Sequence, residues 1–209
     1  MTDQPPVRRL TWPTDEEAWS AFEAYVSAVG KVAHAWNYLH ERLGSLFVWA
    51  LKAPDQKVTA AVWYSTYSDR SQRDMLRAAI LAAPEYRWAS VPPSAKEDLL
   101  WLLDRANELG NKRDDAVHAP CSLYTDSEIR AEMVANLFSG HRRAINLQGK
   151  QLLVEFDWCE RYAEALSRFT QQVADALNFS EPWPDKPLKP VRKPKKEIQG
   201  PERRPQIPK

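Results

Sequence analysis

The sequence predicts an all-α fold: a helical bundle of about four to five helices, a short irregular or hairpin excursion and a disordered C-terminal tail. Three observations carry this. A heptad-spaced apolar stripe runs from Trp19 to Ala50. Ser94 followed by Glu97 marks a helix start ahead of the apolar run LLWLL. Eight of the sixteen prolines lie beyond Ser180. The boundaries that follow are a lead over 1–13, a bundle over 14–180 and a Pro/Lys-rich basic tail over 181–209.

The first helix opens with Thr14 as N-cap and acidic residues behind it, which suit a helix N-terminus. Trp19, Phe22, Val26, Val29, Ala33, Trp36, His40, Leu43, Phe47 and Ala50 then recur at alternating spacings of three and four. Tyr25, Val32, Leu39 and Leu46 widen the stripe until Pro54 stops it. Residues 55–67 fit either a helix or an irregular aromatic connection. A helix from about Ser68 to Ala83 turns Met75, Leu76, Ala79 and Ile80 inward. The stretch APEYRWASVPP is a loop, after which Ser94 and Glu97 form a capping box and start a helix that runs to about His118. Residues 121–150 keep no helical period, and Gly140 and Gly149 punctuate them, so a hairpin or an excursion over the bundle is expected. Asp157, or the residues just before it, opens a last helix carrying Trp158, Tyr162, Leu166, Phe169, Val173 and Leu177. The tail cannot bury a core and is expected to be disordered or extended.

Composition narrows the function. The 209 residues are 44% hydrophobic and include nine tryptophans, enough for a real core. The net charge is +1, yet residues 181–209 hold nine Lys/Arg against four Asp/Glu. The first 180 residues therefore carry a net charge of −4, the total of +1 less the tail's +5. Such a body is not an obvious nucleic-acid platform, and an electrostatic footprint is expected in the tail. Cys121 and Cys159 form no CxxC pair and read as reduced thiols, and the N-terminus has no apolar signal region, so a cytoplasmic location is expected. The longest apolar stretch, LFVWAL, is too short for a bilayer, so no membrane partner is expected. Zinc spacing, a Walker loop, G-x-G-x-x-G and G-x-S-x-G are all missing, and with six glycines no nucleotide cradle, cofactor or metal is expected.

The chemistry concentrates in NKRDDAVHAP, residues 111–120. On a wheel of about 100° per residue, Leu99, Leu102, Leu103, Ala106, Leu109 and Gly110 share one stripe, and Arg113 and Val117 fall inside it. Asp114 and His118, four apart, are neighbours at its edge. A guanidinium in an apolar stripe must meet an acid, an anion, water or a second chain. Gly110, one turn earlier, lets another backbone approach. In the plainer reading Arg113 pairs with an acid in the bundle and His118 caps the last carbonyls.

The segment RDDAVH resembles the R-x(4–6)-H signature of the HEPN superfamily, in which the residue after the arginine is usually Asn, Asp or His. The motif match covers six residues, 113–118, and the helical context about residues 15–180. Asp114 stands where Asn is commonest. The resemblance implies metal-independent RNA cleavage by a homodimer that joins two motifs across a cleft, with Arg113, His118 and Asp114 as the catalytic set. RNA supplies its own 2′-OH nucleophile, so the protein needs only to move protons and stabilise charge. Histidine titrates near neutrality and arginine grips phosphate, while Asp114 orients either partner. The expected partners are RNA, a second copy and, for a toxin or defence ribonuclease, an antitoxin or other partner protein. The rival is a non-catalytic HEPN-like interaction or scaffolding module with a structural Arg/Asp/His clasp. Arg113 and His118 from two chains converging on an open cleft favour catalysis, whereas an Arg113–carboxylate pair closed within one bundle favours the clasp.

Other candidates are plainer. His40 reads as a hydrogen-bonded core histidine, or alternatively as a partner supporting the motif. His34 lies on the opposite side of the same helix, so the two cannot chelate one metal. His141, Arg142 and Arg143, beside Gly140, read as a solvated turn or, alternatively, as a phosphate or RNA contact. Trp12, Trp63, Trp88 and Trp183 lie outside the stripes and are expected to close bundle ends. The basic tail is read as a solubilising appendage, with non-specific phosphate tracking and a Pro-rich ligand for a partner domain as the alternatives.

Overall fold

The computed structural model describes residues 15–51, 55–125, 131–137 and 140–193. It is mostly helical, with one two-stranded antiparallel sheet among the described residues. Helix α1 (Glu16–Leu51) is the spine. The Asp15 carboxylate accepts the Ala18 N–H at 2.7 Å and caps it; Thr14, Trp12 and Pro54 lie outside the described residues. Its C-terminal half buries Val32, Trp36, Leu39, Leu43, Leu46 and Phe47, as the stripe predicts. The first turns differ: Trp19 and Val26 are half exposed. Most of the helices that bury the stripe pack against the second half of α1, so the apolar pattern continues further than its partners do.

The ambiguous stretch is helix α2 (Gln56–Tyr64), capped by Asp55, whose carboxylate accepts the Lys57 and Val58 N–H groups at 2.8 and 3.3 Å. Trp63, expected to close an end, instead fills the core between Phe47 and His40 and lies on Gly44. Helix α3 (Asp69–Ala82) starts at Ser68, whose hydroxyl accepts the Ser71 N–H at 3.3 Å. The following loop contains a short 3-10 turn, Glu85–Trp88.

Helix α4 (Ala95–His118) has the predicted extent, but the capping box does not form. Ser94 has helical dihedrals and its hydroxyl donates to Asp98 at 3.1 Å. Asp98 also binds Trp183 and Lys186, beyond the end of the last helix. Strands β1 (Cys121–Thr125) and β2 (Ala131–Ala135) pair antiparallel, Leu123 opposite Met133, which gives the hairpin outcome for this region. The turn expected at 141–143 leads into a short helix, α5 (Arg142–Leu147). Helix α6 (Leu152–Phe179) lies along α1 in the most extensive helix pairing of the fold. It starts five residues before Asp157 because Leu152 and Phe156 are buried, Phe156 against Tyr25. It ends at Ser180, in a left-handed conformation (φ 58°) that closes a helix as glycine commonly does.

Order extends past the expected boundary at residue 181. Residues 181–193, in the stretch expected to be disordered or extended, form no helix or strand and run as a strap against α4 and α6. Proline favours extended backbone, and side chains anchor it. Trp183 Nε1 donates to Asp98 at 2.9 Å and Lys186 pairs with the same carboxylate at 2.6 Å. Trp158 Nε1 donates to the Pro190 carbonyl at 2.7 Å, Arg161 donates to the Val191 carbonyl, and Arg192 pairs with Glu155. Residues 194–209 lie outside the described residues. Among those described, no helix is long and apolar enough to cross a membrane.

Candidate functional site

Arg113 leaves α4 on the core stripe, as the wheel predicts, and is satisfied inside its own bundle. Its guanidinium pairs with Asp69, the first residue of α3, and with Asp114 at 3.2 Å. It lies over the Trp36 ring, 5.1 Å from the centroid, a cation–π contact. Trp36 Nε1 donates to Asp69 at 2.8 Å, so one carboxylate ties α1, α3 and α4 together. Burial works to raise the Asp69 pKa, but the Trp36 N–H, His40 when it charges, and the Arg113 and Arg73 cations outweigh it and hold the carboxyl below its usual range. The position at the start of a helix favours the anion as well. Arg113 Nε is buried without a hydrogen-bond partner.

Behind this clasp is a buried polar network that the sequence reading assigned only in part. Gln72 donates its amide to the Trp63 and Thr66 carbonyls at 3.0 and 3.1 Å, which leaves its oxygen facing His40 Nδ1 at 3.1 Å. His40 Nδ1 must therefore carry the proton, and its bare Nε2 accepts from Arg73 at 2.7 Å. Burial, reinforced by Arg73 and Arg113 and opposed by Asp69 and the Gln72 bond, lowers the His40 pKa to about 4. Arg73 is 4% exposed, donates from Nε to Asn107 at 2.7 Å and shares the Trp36 ring with Arg113. Burial lowers its pKa to about 10, so it stays charged at neutrality. His40 is thus a hydrogen-bonded core histidine, and it also reaches the motif, through Arg73 and Trp36.

Gly110 was expected to admit another backbone. It admits an indole instead: a Cβ there would lie 3.0 Å from Trp36 Cη2 and 3.4 Å from Arg73 Nη2.

The opposite side of α4 corrects the wheel. Val117, inside the predicted stripe, is exposed, whereas Asp115 is buried. Helix α5 covers the polar side of this last stretch, and Asn146 donates to both Asp115 oxygens at 3.0 and 3.2 Å. Arg143 reaches over the same carboxylates, 3.2 Å from Asp114 and 3.7 Å from Asp115. The His118 side chain is exposed and, among the described residues, makes no hydrogen bond or ion pair. Five positions after Arg113, it lies about 140° around the helix. Arg113 and Asp114 are therefore joined, while His118 points elsewhere.

Asp69, Trp36, Gln72, Arg73, Asn107 and Asp115 were missed as site residues. Gln72 and Arg73 were detectable: they precede Leu76 and Ile80 on the buried stripe of α3 and breach it as Arg113 breaches that of α4. Asp115 had no such signal, because the helix that buries it belongs to a stretch without a clear period. Among the described residues no His/Cys/Asp/Glu group is arranged to hold a metal ion.

Fold and site together define an all-α bundle with a small hairpin, clasped by an Arg–Asp–Trp junction between three helices. No family model matches the chain, and neither does any curated protein or solved structure.

Proposed function

We propose that this chain is a HEPN-like helical interaction module in which the motif arginine is a structural clasp. One observation carries the reading: the Arg113 guanidinium is closed by two carboxylates and an indole of its own bundle. Phosphate would have to compete with Asp69 and Asp114 for it. Charge-assisted bonds of this kind contribute roughly 1.5–3 kcal/mol, less where a partner is open to water as Asp69 is. Arg113→Met should therefore lower unfolding stability by about 2 kcal/mol, measured by urea denaturation.

A second reading, metal-independent RNA cleavage, is favoured by His118, an exposed imidazole whose side chain has no partner among the described residues. A second copy of the chain would supply the other half of an acid–base pair. Incubation with labelled RNAs in EDTA decides between the two. The clasp reading expects no cleavage by folded wild type. Cleavage that is lost in a folded His118→Ala variant makes the chain a ribonuclease and refutes the purely structural role.

A further inference from the structure

The mildly acidic body holds a cationic groove on the side of α4 away from the clasp. A cavity of about 1040 Å³ lies between α4, α5, the first turn of α3 and the strap. Seven Lys/Arg line it against two carboxylates; five of the seven belong to the first 180 residues, whose overall sign is negative, and Lys189 and Arg192 belong to the basic tail. The side chains of Arg70, Lys112, Arg142 and Lys150 make no ion pair or hydrogen bond among the described residues. Asp115 at the floor is buried and already takes two bonds from Asn146, and it orients Arg143 from below. The strap completes the wall with Lys189, 3.9 Å from Glu108, and Arg192, paired with Glu155.

The groove offers much charge and little stacking surface. Of its two aromatic lining residues, His141 is exposed and Trp158 is 4% exposed, with the Arg192 guanidinium 4.3 Å and the Lys189 ammonium 5.4 Å from the Trp158 ring centroid. Grooves for single-stranded nucleic acid pair cations with aromatic faces for successive bases; here the one large face is already covered. The volume is at the upper end of small-ligand sites, roughly 300–1,000 Å³, more than one phosphate needs.

We propose that this groove binds a ligand of consecutive phosphates, an inorganic polyphosphate or the polyphosphate of a nucleotide, through Arg70, Lys112, Arg142, Arg143 and Lys150, with Lys189 and Arg192 of the strap as its outer wall. The unpaired cations repel one another in the empty groove, and a multivalent anion relieves that repulsion while its phosphates take the guanidinium donors. The site does not depend on the motif's role in RNA chemistry.

The test is calorimetric titration of the full chain, in EDTA at low and moderate salt, with tripolyphosphate, ATP, adenosine, inorganic phosphate and an oligouridine. Tripolyphosphate should saturate one site, bind at least about tenfold more tightly than phosphate, and weaken steeply with salt; adenosine should not bind. ATP binding comparable to tripolyphosphate assigns a nucleotide, and tripolyphosphate binding without ATP assigns an inorganic chain. The variant Arg142→Ala/Lys150→Ala, changed only at exposed unpaired side chains, should keep its urea midpoint and lose about tenfold in affinity. Arg168→Ala, which removes a cation paired with Glu164 outside the groove, should bind as wild type does. Four results overturn the proposal: no saturable tripolyphosphate binding, binding of ATP alone, equal loss in the Arg168 control, or oligouridine binding that tripolyphosphate fails to displace. The last makes the groove a nucleic-acid track instead.

Discussion

Lowering the pH from 7 to 4 drives a proton toward His40, whose surroundings are built for the neutral ring. Nδ1 already donates to Gln72, and Nε2 accepts from the charged Arg73 at 2.7 Å, so a second ring proton would face a guanidinium. Burial, the largest cause, together with Arg73 lowers the folded-state pKa to about 4, against about 6.5 in the unfolded chain. The sign follows directly. As pH falls below about 6.5 the unfolded state takes up the proton first, so stability present at pH 7 drains away until the pH reaches the folded value. The full difference is worth about 3 kcal/mol, and about 2 kcal/mol of it is gone by pH 5. His40→Gln removes the titration and can keep an oxygen acceptor near Arg73. Urea unfolding of wild type and variant at several pH values between 7 and 4 isolates the effect, because the other carboxylates and histidines are common to both. Wild type should lose about 2 kcal/mol more than the variant between pH 7 and 5. Parallel stability curves through that window would refute the assignment of a neutral, Arg73-bonded His40.

Gly44→Ala should destabilise despite alanine's better helix propensity, which is worth about 1 kcal/mol. The new Cβ would come within 2.9 Å of Trp63 Nε1 on an indole that is 1% exposed, so overpacking of roughly 1–3 kcal/mol outweighs the gain, read as a lowered melting temperature. Trp183→Ala should release the strap, because the indole N–H to Asp98 and its half-buried ring are both lost. Earlier proteolytic cleavage after Ser180 and a fall of about 1–2 kcal/mol in stability are expected. Burial tends to raise the Asp98 pKa, but Lys186, Trp183 and Ser94 hold it below the usual carboxylate range. Its contribution is therefore present above about pH 4 and lost as pH falls through the folded value, which limited proteolysis across that range would reveal.

Much of the site was legible where a polar residue interrupts an apolar period. Arg113 was found that way, and its need for an acid follows from desolvation alone. The same test applied to α3 marks Gln72 and Arg73. Asp69 gave no sign, since a carboxylate at a helix start is ordinary, and its role exists only because Trp36 and Arg113 converge on it from two other helices. Of the cationic groove only the His141, Arg142 and Arg143 cluster was visible. Charge summed over the first 180 residues averages away the cations of α3, α4 and α5, and the strap's two lie beyond them.

By itself the sequence determined the all-α class, the long first helix, the extent of α4 and the placing of an arginine on a buried stripe. All four rest on interactions between residues three or four apart, which a linear text records. The tertiary structure alone decided which acid closes Arg113, that Asp115 rather than Val117 is buried, and that residues 181–193 dock. Those outcomes depend on which helix covers which face, and that is set by packing between segments far apart in the chain.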